Sequence, residues 1–207
     1  MKKWFFLISI FFVTVSFSQT VPKKFSQLSC PIKTWVIFHP FKAKRAQLIS
    51  VEANRVSDSI KKTNLLDGDA SGGQVDAFRH AYWMARLNQE LGKCAAKSLG
   101  KAHERENEKQ FKKRKLEDGI LPDKSSKEMD LFNNNIGLSL TSKREKISKN
   151  AIIYRVTNAV LEGKMKIIKK DKKGNFLTCE NSLITASELK GKWENNKCLI
   201  PSSQTIE

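Results

Sequence analysis

The first fifteen residues carry the strongest apolar signal in the chain. Trp4 to Val15 is interrupted only by Ser9 and Thr14, with Lys2 and Lys3 before it and the small residues Ser16 and Ser18 after it. A basic start, an apolar run and a small-residue site in that order mark a secretory signal peptide, residues 1–18, cleaved before Gln19. The run is shorter than the ~20 residues that span a bilayer. No later segment is long and apolar enough to cross a membrane, so the exported chain is expected to be soluble. Residues 19–43 hold Pro22, Pro31 and Pro40 among aromatics. They read as an extended arm with little helix, anchored by Trp35, Ile37 and Phe41.

From there the pattern turns helical. Ala46, Ile49, Ala53, Val56 and Ile60 recur at helical spacing and predict a helix over 43–62. Asp67-Gly68-Asp69 and Ser71-Gly72-Gly73 mark a loop. Val75, Phe78, Tyr82, Ala85 and Leu87 predict a helix over 74–91, with Gly92 positioned to end it. A further helix over 94–117 is small and apolar at first, then dense in both charge signs from His103, a stretch expected to project into solvent. Ser125 and Glu128 have capping-box spacing ahead of Met129, Phe132, Ile136 and Leu140. Residues 149–162 supply another helix through Ile152, Ile153, Val156, Ala159 and Val160.

Past Gly163 the texture is strand-like. Lys166-Ile167-Ile168 and Asn175-Phe176-Leu177-Thr178 flank a Lys-Lys-Gly turn and predict a hairpin, with a second small hairpin around Asn195-Asn196 between Trp193 and Leu199. The fold class is therefore mainly α: a single helical domain of four or five helices with a small C-terminal β-hairpin element. The expected division is an arm over 19–43, a helical core over 44–162 and a β-rich appendage over 163–207.

Charge and cysteine content narrow the setting. The formal net charge is +17, and +15 once Lys2 and Lys3 leave with the signal peptide. Such a surplus favours anionic surfaces or polymers such as lipid headgroups, glycans or nucleic acid, without choosing among them or fixing the oligomeric state. The basic runs Lys112–Lys115 and Lys169–Lys173 are expected to lie outside the motif-bearing faces. Cys30, Cys94, Cys179 and Cys198 are an even set in an exported chain, which points to disulfides. Their scattered spacing does not suit structural zinc. The preferred pairing is Cys179 with Cys198 and Cys30 with Cys94.

Polar residues on three of the helices point to chemistry. Asp76 and His80 stand at i and i+4 and share a face bordered by Arg79 and Trp83, and Asp76, Arg79 and Trp83 are the binding candidates. His103 and Glu104 are adjacent on the next helix, and Asp130 and Asn134 repeat the i, i+4 relation on the third. If the helices pack side by side these residues converge. His80, His103 and Asp130 then suit zinc or another divalent ion, with Glu104 as base for a metal-bound water. A metal-free version has Asp76 orienting His80 as base and Asn134 polarising a substrate oxygen. The catalytic candidates are thus His80, Glu104 and Asn134.

Residues 76–83 (Asp-Ala-Phe-Arg-His-Ala-Tyr-Trp), Ala102-His103-Glu104 and residues 129–137 (Met-Asp-Leu-Phe-Asn-Asn-Asn-Ile-Gly) resemble the core of an uncharacterised bacterial domain family. That family is marked by an Arg-His-Ala-x-Trp helix, a His-Glu pair and an Asp-x-x-Asn-Asn-x-x-Gly helix. The resemblance covers residues 72–140 and implies that these positions act together, without supplying a reaction. The His, His-acid, Asp order is also similar to that of metal-dependent HD phosphohydrolases, although the second pair here is His-Glu and the interval to Asp130 is short. The leading expectation is an exported metal-dependent hydrolase acting on a phosphodiester or other anionic substrate. The competing readings are a non-catalytic envelope or surface-binding module, in which the polar set is structural, and a secreted effector toxin.

Overall fold

The computed structural model describes residues 25–116 and 121–204, so the signal-peptide reading lies outside the described residues. Five long helices carry the domain: α2 (Pro40–Lys61), α3 (Gln74–Leu91), α4 (Lys93–Lys112), α5 (Lys124–Ser139) and α6 (Lys149–Leu161). A shorter α1 (Cys30–Phe38) precedes them and a single-turn α7 (Ala186–Leu189) follows. The only sheet among the described residues pairs β1 (Lys166–Ile168) with β2 (Leu199–Pro201), antiparallel, Ile167 opposite Ile200. The fold is mainly α with a small β element. Among the described residues no helix is long and apolar enough to cross a membrane.

Helix α3 is the axis of the molecule. It packs against α2, α4, α5 and α6, and Phe78, Tyr82, Ala81, Ala85 and Leu87 are fully removed from solvent. One apolar cluster joins Phe78 and Tyr82 to Ile152, Val156 and Val160 of α6 and to Ile167 and Ile200 of the sheet. A second joins Met84 and Leu87 to Trp35, Ile49 and Leu99. A helix buried on every side must satisfy its polar side chains internally. Arg86 donates to Glu52, Asn88 to the carbonyls of Leu138 and Thr141, and Gln89 to those of Glu145 and Ile147.

The expected extended arm over 19–43 is corrected: residues 30–38 are helical and α2 begins at Pro40. Pro31 and Pro40 sit in the first turns of α1 and α2, where a missing N–H costs nothing because that donor has no intrahelical partner. Trp35 is buried and anchors α1, donating from Nε1 to Ser98 at 2.9 Å, whereas Ile37 and Phe41 are exposed. Helix α5 is capped by Asp123 and Ser126 in a reciprocal capping box, two residues earlier than the Ser125–Glu128 pair. Phe132 turns outward, with the Lys166 ammonium over its ring.

The C-terminal strands also pair differently from expectation. Lys166–Ile168 takes Leu199–Pro201 as partner, leaving only isolated bridges, Lys170 with Phe176 and Leu177 with Leu183, where the local hairpin was expected. Cys179 and Cys198 form a disulfide as expected. Cys30 and Cys94 are both free and exposed, which corrects their proposed pairing.

Candidate functional site

Asp76, His80 and Asp130 come together between α3 and α5. Each offers one ligand atom, the three atoms lie within 4.8 Å of one another, and all three residues are buried. His80 Nε2 stands 3.5 Å from Asp76 Oδ1 and 3.3 Å from Asp130 Oδ1. Two local features place them. The i, i+4 step puts Asp76 and His80 on one face of α3. Asn133 then docks α5 on the sheet edge, accepting from the Lys166 amide and donating to its carbonyl, both at 2.9 Å.

The loop before α3 sets the orientation of Asp76. Gly72, at φ +91°, donates its amide to Asp76 Oδ2 at 2.8 Å, and Arg79 donates to Oδ1 at 2.6 Å. A side chain at 72 would meet both the strained φ and the Ile168 side chain. Asp67 closes the loop by accepting from the amides of Asp69 and Gln74. Burial raises its carboxyl above the ordinary range, against those amide bonds.

The other sequence candidates surround this core. The His103 ring lies 6.2 Å from that of His80 and edge-on to Trp83 at 5.6 Å, and it stands outside the three-residue ligand group. Trp83 donates to Ser50. A concavity bounded by Ser50, Asn54, Arg79, His80, Trp83 and His103 opens on this side. Glu104 and Asn107 are buried, 3.5 Å apart from Oε2 to Nδ2, so this part of α4 faces inward rather than projecting into solvent. Asn134 is also buried, and neither its amide oxygen nor its nitrogen has a hydrogen-bond partner. Across from it Gly100 keeps the helices close; a Cβ there would lie 3.4 Å from Asn134 Nδ2.

A second concavity adjoins the carboxylates. Asp76, Arg79, Ser126 and Asp130 line it together with Ile168, Phe176 and Lys197. The latter three come from the C-terminal segment and were not among the sequence candidates, because no local spacing ties them to the helical motifs.

One imidazole and two carboxylates form a mixed nitrogen–oxygen donor set suited to zinc, manganese or a similar divalent ion. Three protein ligands leave positions for water and substrate, the arrangement that catalytic rather than structural sites keep. The amide of Gly72 and the guanidinium of Arg79 supply the outer hydrogen bonds that hold a ligating carboxylate in place.

Residues 33–164, more than half of the chain, match a family model described as Domain of unknown function (DUF6973). No curated protein and no solved structure matches the chain.

Proposed function

The chain belongs to this family of unknown function, and on that premise we propose that it is an exported, divalent-metal-dependent hydrolase acting on a phosphodiester or other anionic substrate. One observation carries the reading: Asp76, His80 and Asp130, from two helices, bring three metal-binding atoms within 4.8 Å of one another in a buried position. A divalent ion at this position would supply a bound water whose pKa is lowered to roughly 7. Asp76, His80 and Asp130 would hold the ion. His103, facing His80 from α4, lines the approach, and Glu104 of α4 and Asn134 of α5 are further buried polar groups. The metal set is thus Asp76 with His80 and Asp130, in place of the sequence-based set containing His103. Export is supported by the Cys179–Cys198 disulfide, which persists in oxidising compartments.

A second reading has its own support. Both oxygens of Asp76 already accept hydrogen bonds, from Arg79 and Gly72. His80 between two carboxylates is also a reasonable interhelical lock in a non-catalytic surface-binding module. Hydrolysis of bis(p-nitrophenyl) phosphate by the purified protein, with and without manganese or zinc, separates the two. Hydrolase action predicts turnover that needs the metal and is lost in Asp130→Asn. No metal-dependent turnover on this or other anionic esters favours the structural lock.

A further inference from the structure

We infer that the corner between α1 and α2 is a docking wedge through which the protein seats on a bilayer rich in anionic phospholipid. The inference is independent of the hydrolase reading. Three large apolar side chains project from this corner: Ile37 is 64% exposed, Phe38 76% and Phe41 fully exposed. Single exposed apolar residues are ordinary on a protein surface, but several of them on adjoining turns mark a place where a partner sits.

The corner is held firmly from within. Trp35 of α1 is buried, donates to Ser98 of α4 and stacks on His39, with ring centroids 4.5 Å apart. His39 closes α1 and Pro40 opens α2. Helical spacing then sorts the residues that point away from this anchor. Lys33 and Ile37 share the face of α1 opposite Trp35. Phe41, Lys44 and Leu48 share the outward face of α2, opposite the buried Ala46, Ile49 and Ala53.

Charge selects the occupant. No acidic residue precedes Glu52 in the chain, whereas Lys33, Lys42, Lys44 and Arg45 fall within thirteen residues. Arg45 is engaged by Glu90 of α3, and the three lysines flank Ile37, Phe38 and Phe41 in sequence. Apolar side chains set among lysines suit the boundary of an anionic bilayer, where rings enter the edge of the acyl region and ammonium groups meet lipid phosphates. A second copy of the chain suits the corner less. Two such corners face to face would set lysine against lysine, and three side chains bury far less than the roughly 1,200 Å² of a stable interface.

Flotation of the purified protein with vesicles of phosphatidylcholine alone, or of phosphatidylcholine mixed with phosphatidylglycerol, is the test. The parent is expected to float with the mixed vesicles and to bind the neutral ones at least tenfold more weakly. Phe38→Ser combined with Phe41→Ser should weaken binding to the mixed vesicles at least tenfold. Melting temperature and elution from heparin should not change, because both rings are exposed and heparin responds to charge. A double variant that binds mixed vesicles as well as the parent, or a parent that does not bind them, overturns the wedge. Equal binding of the parent to both kinds of vesicle overturns the selection of anionic lipid. A parent that sediments as a dimer and ignores vesicles, with a monomeric double variant, assigns the corner to a second copy instead.

Discussion

Gly137 of α5 lies directly against the backbone of Ala81 of α3: a Cβ at 137 would stand 2.7 Å from the Ala81 Cα and closer still to its carbonyl oxygen. This approach of two backbones brings Asp130, two turns earlier on α5, within reach of His80. Alanine at 137 gains about 1 kcal/mol of helix propensity, but overpacking against rigid backbone costs about 3 kcal/mol. Gly137→Ala is expected to destabilise the protein by roughly 2 kcal/mol in chemical denaturation. Because the helices must separate, it should also weaken metal binding. A variant as stable as the parent would mean that the helices part without cost.

Acid stability should report on Glu52. Burial raises its carboxyl, but hydrogen bonds from Arg86, Lys149 and Tyr82 prevail and bring it down to about 2. A carboxylate depressed in the folded state stabilises above its unfolded pKa, near 4.5, and that stabilisation is lost as pH falls toward 2. With allowance for solvent contact it amounts to on the order of 2 kcal/mol. Denaturation of the parent and of Glu52→Gln is expected to differ most above pH 5 and to converge toward pH 2. A constant gap across that range would show that Glu52 acts through packing rather than charge.

The basic surface divides into lysines held within the fold and exposed lysines. Lys170 is engaged by Asp69 and the Ser71 carbonyl, and Lys169 by the Cys179 carbonyl, so these two serve the fold. Lys112, Lys113, Lys172 and Lys173 are exposed. We propose that these four attach the domain to anionic surfaces. Changing them to glutamate is expected to lower the salt needed for elution from heparin strongly, with melting temperature almost unchanged because exposed charges contribute little to folding. Retention that is flat in salt, or unaffected by the reversal, would leave these lysines with a solubility role.

The elements whose periodicity is local were legible in the sequence. Helix α3 runs from Gln74 to Leu91 and stops at Gly92, whose φ is +88°, as its apolar spacing and terminal glycine indicate. Helix α1 was hidden because Pro31 and Pro40 read as breakers, although the first turn of a helix accepts proline. The sheet was hidden for another reason: Ile167 and Ile200 are brought together by the whole C-terminal segment, and no turn signal encodes that pairing. The site divides the same way. Asp76 with His80 can be read from helical spacing, and Asp130 from its own i, i+4 pair, whereas Lys197 and Phe176 reach the pocket only through the tertiary path of the disulfide-linked segment.

Equilibrium titration of the purified protein with manganese, followed by electron paramagnetic resonance, tests the Asp76–His80–Asp130 site most directly. One ion is expected per chain, with affinity lost at least a hundredfold in both His80→Ala and Asp130→Asn while far-ultraviolet circular dichroism stays helical, and with His103→Ala much less affected because its ring lies outside the ligand group. Absence of stoichiometric binding, or binding that survives both His80→Ala and Asp130→Asn, would contradict a metal centre between α3 and α5.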